Sequence, residues 1–269
     1  MKQSAALDFF VIGCQRSGTT LMRLILDSHS LVGCLDEPQS YRAVAATERS
    51  RYSTKALLGA KVPCLTEQFG QATLWDRRLL EPTPNPYHGQ PLIFLVRDAR
   101  DTVASMHSLT VAGRSWIQRS ARPTVLAKRR RDAAFASRYR PFLHLADSRE
   151  DDVGLAAFYW RYKTDALREY ASRGWPLLPV RYEDVVSQPL TELARVCRFL
   201  GIPWEPSLLE HHNRPHSGVS PSGTTTGGTD GRRQIDDTSV GRWGTIFTER
   251  EGKRIIELAG ESQQMLYGD

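Results

Sequence analysis

The chain has 269 residues, with 36 lysines and arginines against 30 aspartates and glutamates and a formal net charge of +6. An ordinary balance of 40% hydrophobic and 25% charged residues excludes a disordered or fibrous class, and no stretch approaches the roughly 20 apolar residues of a spanning helix. The length suits a single α/β domain over 1–269, and the positive charge favours an anionic partner such as nucleic acid, anionic lipid or a phosphorylated small molecule.

In chain order, the first strand-like run is Phe9 to Ile12. It begins so near Met1 that no signal peptide or anchor is expected ahead of it, which predicts a cytoplasmic location. A turn over Gly13 to Thr20 leads into a helix, Thr19 to Ser28, with Leu21, Leu24 and Ile25 on one face. Ala56 to Lys61 is a weaker strand candidate, and Leu92 to Val96 a stronger one, followed by a helix over Asp101 to Leu109. Residues 114–149 are arginine-rich, include Lys128-Arg129-Arg130-Arg131, and read as an insert that shapes an acceptor site. A long helix, Val153 to Tyr170, is followed by a strand, Leu177 to Val180, that Pro179 weakens, and then by a helix, Thr191 to Leu200, stopped by Gly201 and Pro203. The Gly/Ser/Thr-rich stretch 216–233 reads as a mobile loop. Strands alternating with helices predict an α/β fold, a P-loop-like parallel sheet flanked by helices, with its ligand site at the strands' carboxyl ends. Cys14, Cys34, Cys64 and Cys197 form no CxxC pair, so reduced thiols and no metal site are expected.

Gly13-Cys14-Gln15-Arg16-Ser17-Gly18-Thr19-Thr20 is the most informative segment. A glycine-bounded turn between strand and helix aims several backbone N–H groups at one point, where the helix terminus adds positive potential, and such a point binds phosphate or sulfate. The spacing matches GxxxxGK[ST] except that Thr19 stands at the lysine position and the cation has moved to Arg16. Without that lysine, triphosphate chemistry is disfavoured. The plainer alternative is a glycine turn with no ligand.

Three blocks together resemble the sulfotransferases that use 3′-phosphoadenosine 5′-phosphosulfate (PAPS). Arg16-Ser17-Gly18-Thr19-Thr20-Leu21 resembles their 5′-phosphosulfate loop. Leu95-Val96-Arg97-Asp98-Ala99-Arg100-Asp101 through Ser105 resembles their 3′-phosphate motif, and Arg181-Tyr182-Glu183-Asp184 with Phe199 to Pro203 a third shared block. The run Arg16 to Glu37 is most similar to the tyrosylprotein and bacterial branch. The resemblance implies that Arg16, Ser17, Gly18, Thr19 and Thr20 hold the 5′-phosphosulfate and that Arg97 and Ser105 hold the 3′-phosphate. By the same carry-over, Tyr182 lies near the adenine and Arg242, in Ser239-Val240-Gly241-Arg242-Trp243, adds a phosphate contact. Asp98 and Asp101 could instead make Arg97 and Arg100 a surface ion-pair cluster. The product would be 3′,5′-bisphosphoadenosine.

Small-phenol sulfotransferases carry a histidine two residues after a lysine, but Lys61 is followed by Val62 and Pro63. Glu37 matches the acidic base of the tyrosylprotein branch, with Asp36 its rival and Lys61 and Arg16 stabilising charge; both acids could also merely solvate a loop. His29 is expected to pack or cap. The acceptor, a small-molecule, lipid or glycan hydroxyl, is left open. The competing readings are a P-loop small-molecule kinase and a nucleic-acid-binding module built on Lys128 to Arg131.

Overall fold

A computed structural model describes residues 7–37, 39–40, 50, 52–62, 89–111, 113–216, 219–220, 223–225 and 228–268. Its strands are β1 (Phe9–Gly13), β2 (Val32–Leu35), β3 (Leu57–Lys61), β4 (Leu92–Val96), β5 (Thr110–Val111), β6 (Arg114–Ser115) and β7 (Leu177–Arg181). Five of them form one sheet in the order β2-β3-β1-β4-β7, and every pairing in it is parallel. β5 and β6 make a separate antiparallel ribbon.

The described residues group into two compact units, one from 7–62, 89–96 and 167–237 and the other from 97–166 and 238–268. The whole five-stranded sheet lies in the first. β1 and β4 are buried along their full length, as expected for central strands covered on both faces. The Thr19–Asp27 helix brings Met22, Ile25 and Leu26, and the Pro189–Leu200 helix brings Leu193, Val196 and Cys197, onto Phe9, Val11, Ile93, Leu95 and Val180. Proline at the first turn and Gly201 at φ 68° bound the second of these helices.

The sequence signals hold for β1, β3, β4 and β7, and the differences have physical causes. Pro179 is tolerated because β7 is an edge strand, where a missing donor breaks no ladder, and its carbonyl accepts from Arg195 Nη2 at 2.9 Å. β2 escapes a pattern search because it has four residues, interrupted by Gly33, and is defined only by its pairing with β3. The helix expected at Asp101 begins at Ala99, because Asp98 accepts from the Arg100 and Asp101 N–H groups and caps it.

In the second unit the arginine-rich segment folds into the Arg122–Arg131 and Ala133–Arg138 helices and a 3₁₀ turn, Arg140–Ala146, burying Val125, Phe135, Tyr139 and Leu145. Lys128 lies over the Phe135 ring at 5.2 Å and pairs with Asp132 at 3.5 Å. Arg129 binds both oxygens of Asp147 at 2.8 and 3.0 Å. Within 216–233, positions 217–218, 221–222 and 226–227 lie outside the described residues, while Val219 bridges Thr225 and Thr224 bridges Asp230. No helix among the described residues is long and apolar enough to cross a membrane.

Gly59 in β3 lies against the ring of Phe9, which is 1% exposed, and a Cβ there would collide with it. Gly59→Ala should therefore destabilise the fold by about 1–3 kcal/mol, read as a lower urea midpoint at unchanged slope.

Candidate active site

β1 delivers the chain into a turn of unusual backbone. Gly13 has φ 142°, Gly18 φ 92°, and Arg16 φ 73°, the one positive φ outside glycine among the described residues. A left-handed arginine costs roughly 1–3 kcal/mol unless its surroundings hold it. Ser17 is what holds it. This residue is 0% exposed, and its hydroxyl donates to Cys14 O at 2.5 Å and lies 3.2 Å from Leu95 O. Its N–H also turns back to Cys14 O, at 3.2 Å. Ser17 thus braces the turn from inside. The first intrahelical bond is Met22 N–H to Gly18 O at 3.0 Å, so the amides of Gly18, Thr19 and Thr20 precede the ladder and have no acceptor within the helix. With Arg16 next to them in sequence, these amides form the kind of helix terminus at which an anion can bind.

Gly18 also explains the place of Tyr182, the first residue of a short helix after β7, Tyr182–Ser187. A Cβ on Gly18 would come within 2.6 Å of Tyr182 Cδ2. Only a bare backbone lets the ring lean on the loop.

Beside this loop is a cluster drawn from three strands' carboxyl ends. Lys61, the last residue of β3, is 3% exposed. Its ammonium donates to Thr20 Oγ1 at 3.0 Å and pairs with Asp36 Oδ1 at 2.7 Å and Glu37 Oε1 at 3.1 Å. The two acids are not equivalent. Asp36 Oδ1 also accepts the Glu37 N–H at 2.9 Å, and its side chain is 3% exposed against 40% for Glu37. Burial alone would push the Asp36 carboxyl up, but the charge and hydrogen bond of Lys61, the Glu37 N–H and the charge of Arg23 hold it below the usual carboxylate range. Arg23, 0% exposed, donates from Nε to Cys34 O at 2.9 Å and was not singled out from sequence.

One helix turn away, Asp27 Oδ1 accepts the Cys34 N–H at 3.0 Å and Oδ2 meets His216 Nδ1 at 2.9 Å. His29, expected to pack or cap, is 0% exposed and packs just beyond Ser28, the residue that caps the helix. Its Nδ1 accepts the Leu31 N–H at 3.0 Å, which leaves Nε2 to donate to Pro203 O at 2.8 Å.

Arg97, Ser105 and Arg242 belong to the second unit. The Arg97 carbonyl accepts from Trp160 Nε1 at 2.9 Å, and its Nη2 donates to Ser239 O. Ser105 sits in the last turn of the Ala99–His107 helix, and Arg242 is exposed at the start of a 3₁₀ turn, Arg242–Thr245. Of the alternative ion-pair cluster, the Arg100–Asp98 pair is present. Arg100 binds both Asp98 oxygens at 3.1 and 2.8 Å, whereas Asp101, 3% exposed, accepts backbone amides from 140 residues away. No local pattern signals that role.

The Asp36 shift carries a sign. A carboxyl whose folded pKa is below its unfolded value near ~3.9 stabilises the fold above that pH and loses the contribution as pH falls through the folded value. The stability gap between the wild type and Asp36→Asn should be widest above about pH 4 and narrow below it, measured by urea unfolding across pH 3 to 7.

Residues 8–79 and 89–206 match the sulfotransferase family. Protein-tyrosine sulfotransferase 1 of Danio rerio is 27% identical over 75% of this chain, which spans 55% of that protein's length. Among solved structures, the sulfotransferase domain of the Curacin biosynthetic pathway superimposes with a TM-score of 0.52 at 18% identity, over 93% of this chain and 95% of its own. The sulfotransferase domain of the Synechococcus PCC 7002 olefin synthase gives 0.56 at 17% identity, over 96% and 94%. Mouse sulfotransferase SULT7A1, complexed with PAP, gives 0.52 at 14% identity, over 96% and 84%. At such identities the structures speak for the shared fold, and the sequence match over most of the length supplies the rest: the chain belongs to the sulfotransferase family.

Proposed function

We propose that this chain transfers a sulfuryl group from PAPS to an acceptor hydroxyl by in-line displacement, with Glu37 as general base and Lys61 and Arg16 stabilising charge. The observation that carries the reading is the Lys61 ammonium, which shares one point with a half-exposed carboxylate and with Thr20 of the glycine turn. The turn suits a 5′-phosphosulfate through Arg16 and the amides of Gly18, Thr19 and Thr20, with Ser17 as its brace and Tyr182 against Gly18 on the side proposed for the adenine. Arg97, Ser105 and Arg242 are proposed for the 3′-phosphate on the sequence resemblance, and an arginine fork with a hydroxyl suits a dianion. PAP in the mouse relative's structure supports the same choice of donor.

PAPS, when bound, supplies the sulfuryl group and a phosphate leaving group. Glu37 takes the acceptor's proton as the new oxygen–sulfur bond forms and the bond from sulfur to the phosphate oxygen breaks. Lys61 faces the charge that develops on the transferring group and the leaving oxygen. Asp36 is the poorer base, because it is held ionised and its Oδ1 already serves Lys61 and the Glu37 amide. The kinase alternative lacks the loop lysine. Against a nucleic-acid module stand the contacts Lys128 and Arg129 make within their own unit. Segments 114–149 and 216–233 are proposed to shape the acceptor side, for a small-molecule, lipid or glycan hydroxyl.

Glu37→Gln keeps shape but removes the proton acceptor, so turnover should fall by about two to four orders of magnitude while affinity for 3′,5′-bisphosphoadenosine stays near normal. Retention of most activity would sink the assignment. Arg97→Ala and Ser105→Ala should weaken 3′,5′-bisphosphoadenosine far more than adenosine 5′-phosphosulfate, which lacks the 3′-phosphate. Calorimetry that finds equal losses would refute the 3′-phosphate roles.

A further inference from the structure

The segment Ser239 to Trp243 is fastened to the start of the Ala99–His107 helix at alternate residues. Arg97 Nη2 donates to the Ser239 carbonyl. The Gly241 N–H donates to Asp101 Oδ2 at 2.7 Å and the Trp243 N–H to Asp101 Oδ1 at 2.9 Å. The Arg100 guanidinium lies over the Trp243 ring, 5.1 Å from its centroid. On another side the ring meets Gly252 of the Glu249–Ala259 helix, where a Cβ would fall 2.6 Å from it. Gly241, at φ 71°, makes the bend that leaves Arg242 exposed between two anchored amides.

We infer that Asp101 is a positioning residue for the cofactor's 3′-phosphate: its buried carboxylate holds the Ser239 to Trp243 strap so that Arg242 is presented and the Arg97 fork is set. This rests on the proposed 3′-phosphate roles of Arg97 and Arg242. Asp101 touches no ligand and acts through the strap. Both of its oxygens take charge-assisted bonds from amides that have no helix or sheet partner of their own, so the carboxylate decides the strap's conformation. Its neighbour Asp98 is engaged by Arg100 and by Gln263 Nε2 at 3.0 Å. The Arg97 contact to the strap is to a neutral carbonyl, which a phosphate dianion displaces or joins at the same fork.

The test is calorimetric titration of 3′,5′-bisphosphoadenosine and of adenosine 5′-phosphosulfate into Asp101→Asn, Arg97→Ala, Arg242→Ala and the Asp101→Asn/Arg242→Ala double variant. Asp101→Asn should cost about tenfold or more in bisphosphate affinity and less than about twofold for the phosphosulfate, and the double variant should lose less than the product of the single losses, as coupled residues do. Equal losses for both ligands, or multiplicative losses in the double variant, overturn the inference. If Arg97→Ala weakens the bisphosphate but Asp101→Asn does not, the positioning role alone fails; if Arg97→Ala changes nothing, the 3′-phosphate reading beneath it fails. Should Asp101→Asn not fold by circular dichroism, Gly241→Pro removes the N–H that Asp101 Oδ2 accepts, and the φ 71° bend with it, while leaving Asp101 intact. The same ligand-selective loss is expected there, and its absence counts against the inference.

Discussion

A lysine that is 3% exposed needs oxygens in place of its water, and that demand organises the site around Lys61. The three oxygens come from the helix after β1, from the turn after β2, and from nothing nearer in sequence than Glu37. The strand order β2-β3-β1 makes this possible, because it sets β3 between the two strands whose carboxyl ends carry the partners. An antiparallel neighbour would send those residues to the opposite edge.

The division of roles between the two acids follows from where each sits around that ammonium. Asp36 is enclosed, accepts two bonds on one oxygen and is held ionised, which makes it a counter-ion. Glu37 pairs with the same ammonium but keeps a side chain 40% exposed. The same separation of brace and working group recurs in the loop. Ser17 turns both its donors inward beside a left-handed Arg16, and the amides of Gly18, Thr19 and Thr20 that follow it have no acceptor within the helix.

Part of the charge in the second unit is matched locally: Lys128, Arg129 and Arg122 pair with Asp132, Asp147 and Asp152, while Arg130 and Arg131 of the same run are exposed. The acids of the Arg97 to Asp101 stretch do different work. Asp98 starts a helix and ties down Arg100, while Asp101 reaches a segment far along the chain. Two aspartates three residues apart look alike in sequence because their difference lies in distant backbone.

The sequence by itself determined the parallel α/β class, the glycine-bounded turn between the first strand and its helix, and the bounds of the long helices to within a few residues. These rest on local physics: runs of buried apolar residues, helical periodicity, glycine spacing and proline or glycine stops, each readable within a few residues of itself. Only the tertiary structure decided that β2 is a strand, that Pro179 sits harmlessly at an edge, that Asp36 serves Lys61 while Glu37 faces solvent, and that Asp101 fastens a strap 140 residues away. In each of these cases the deciding circumstance, a sheet edge or a distant strand, ammonium or amide, is set by strand order or chain return, which leaves no periodicity in the residues concerned.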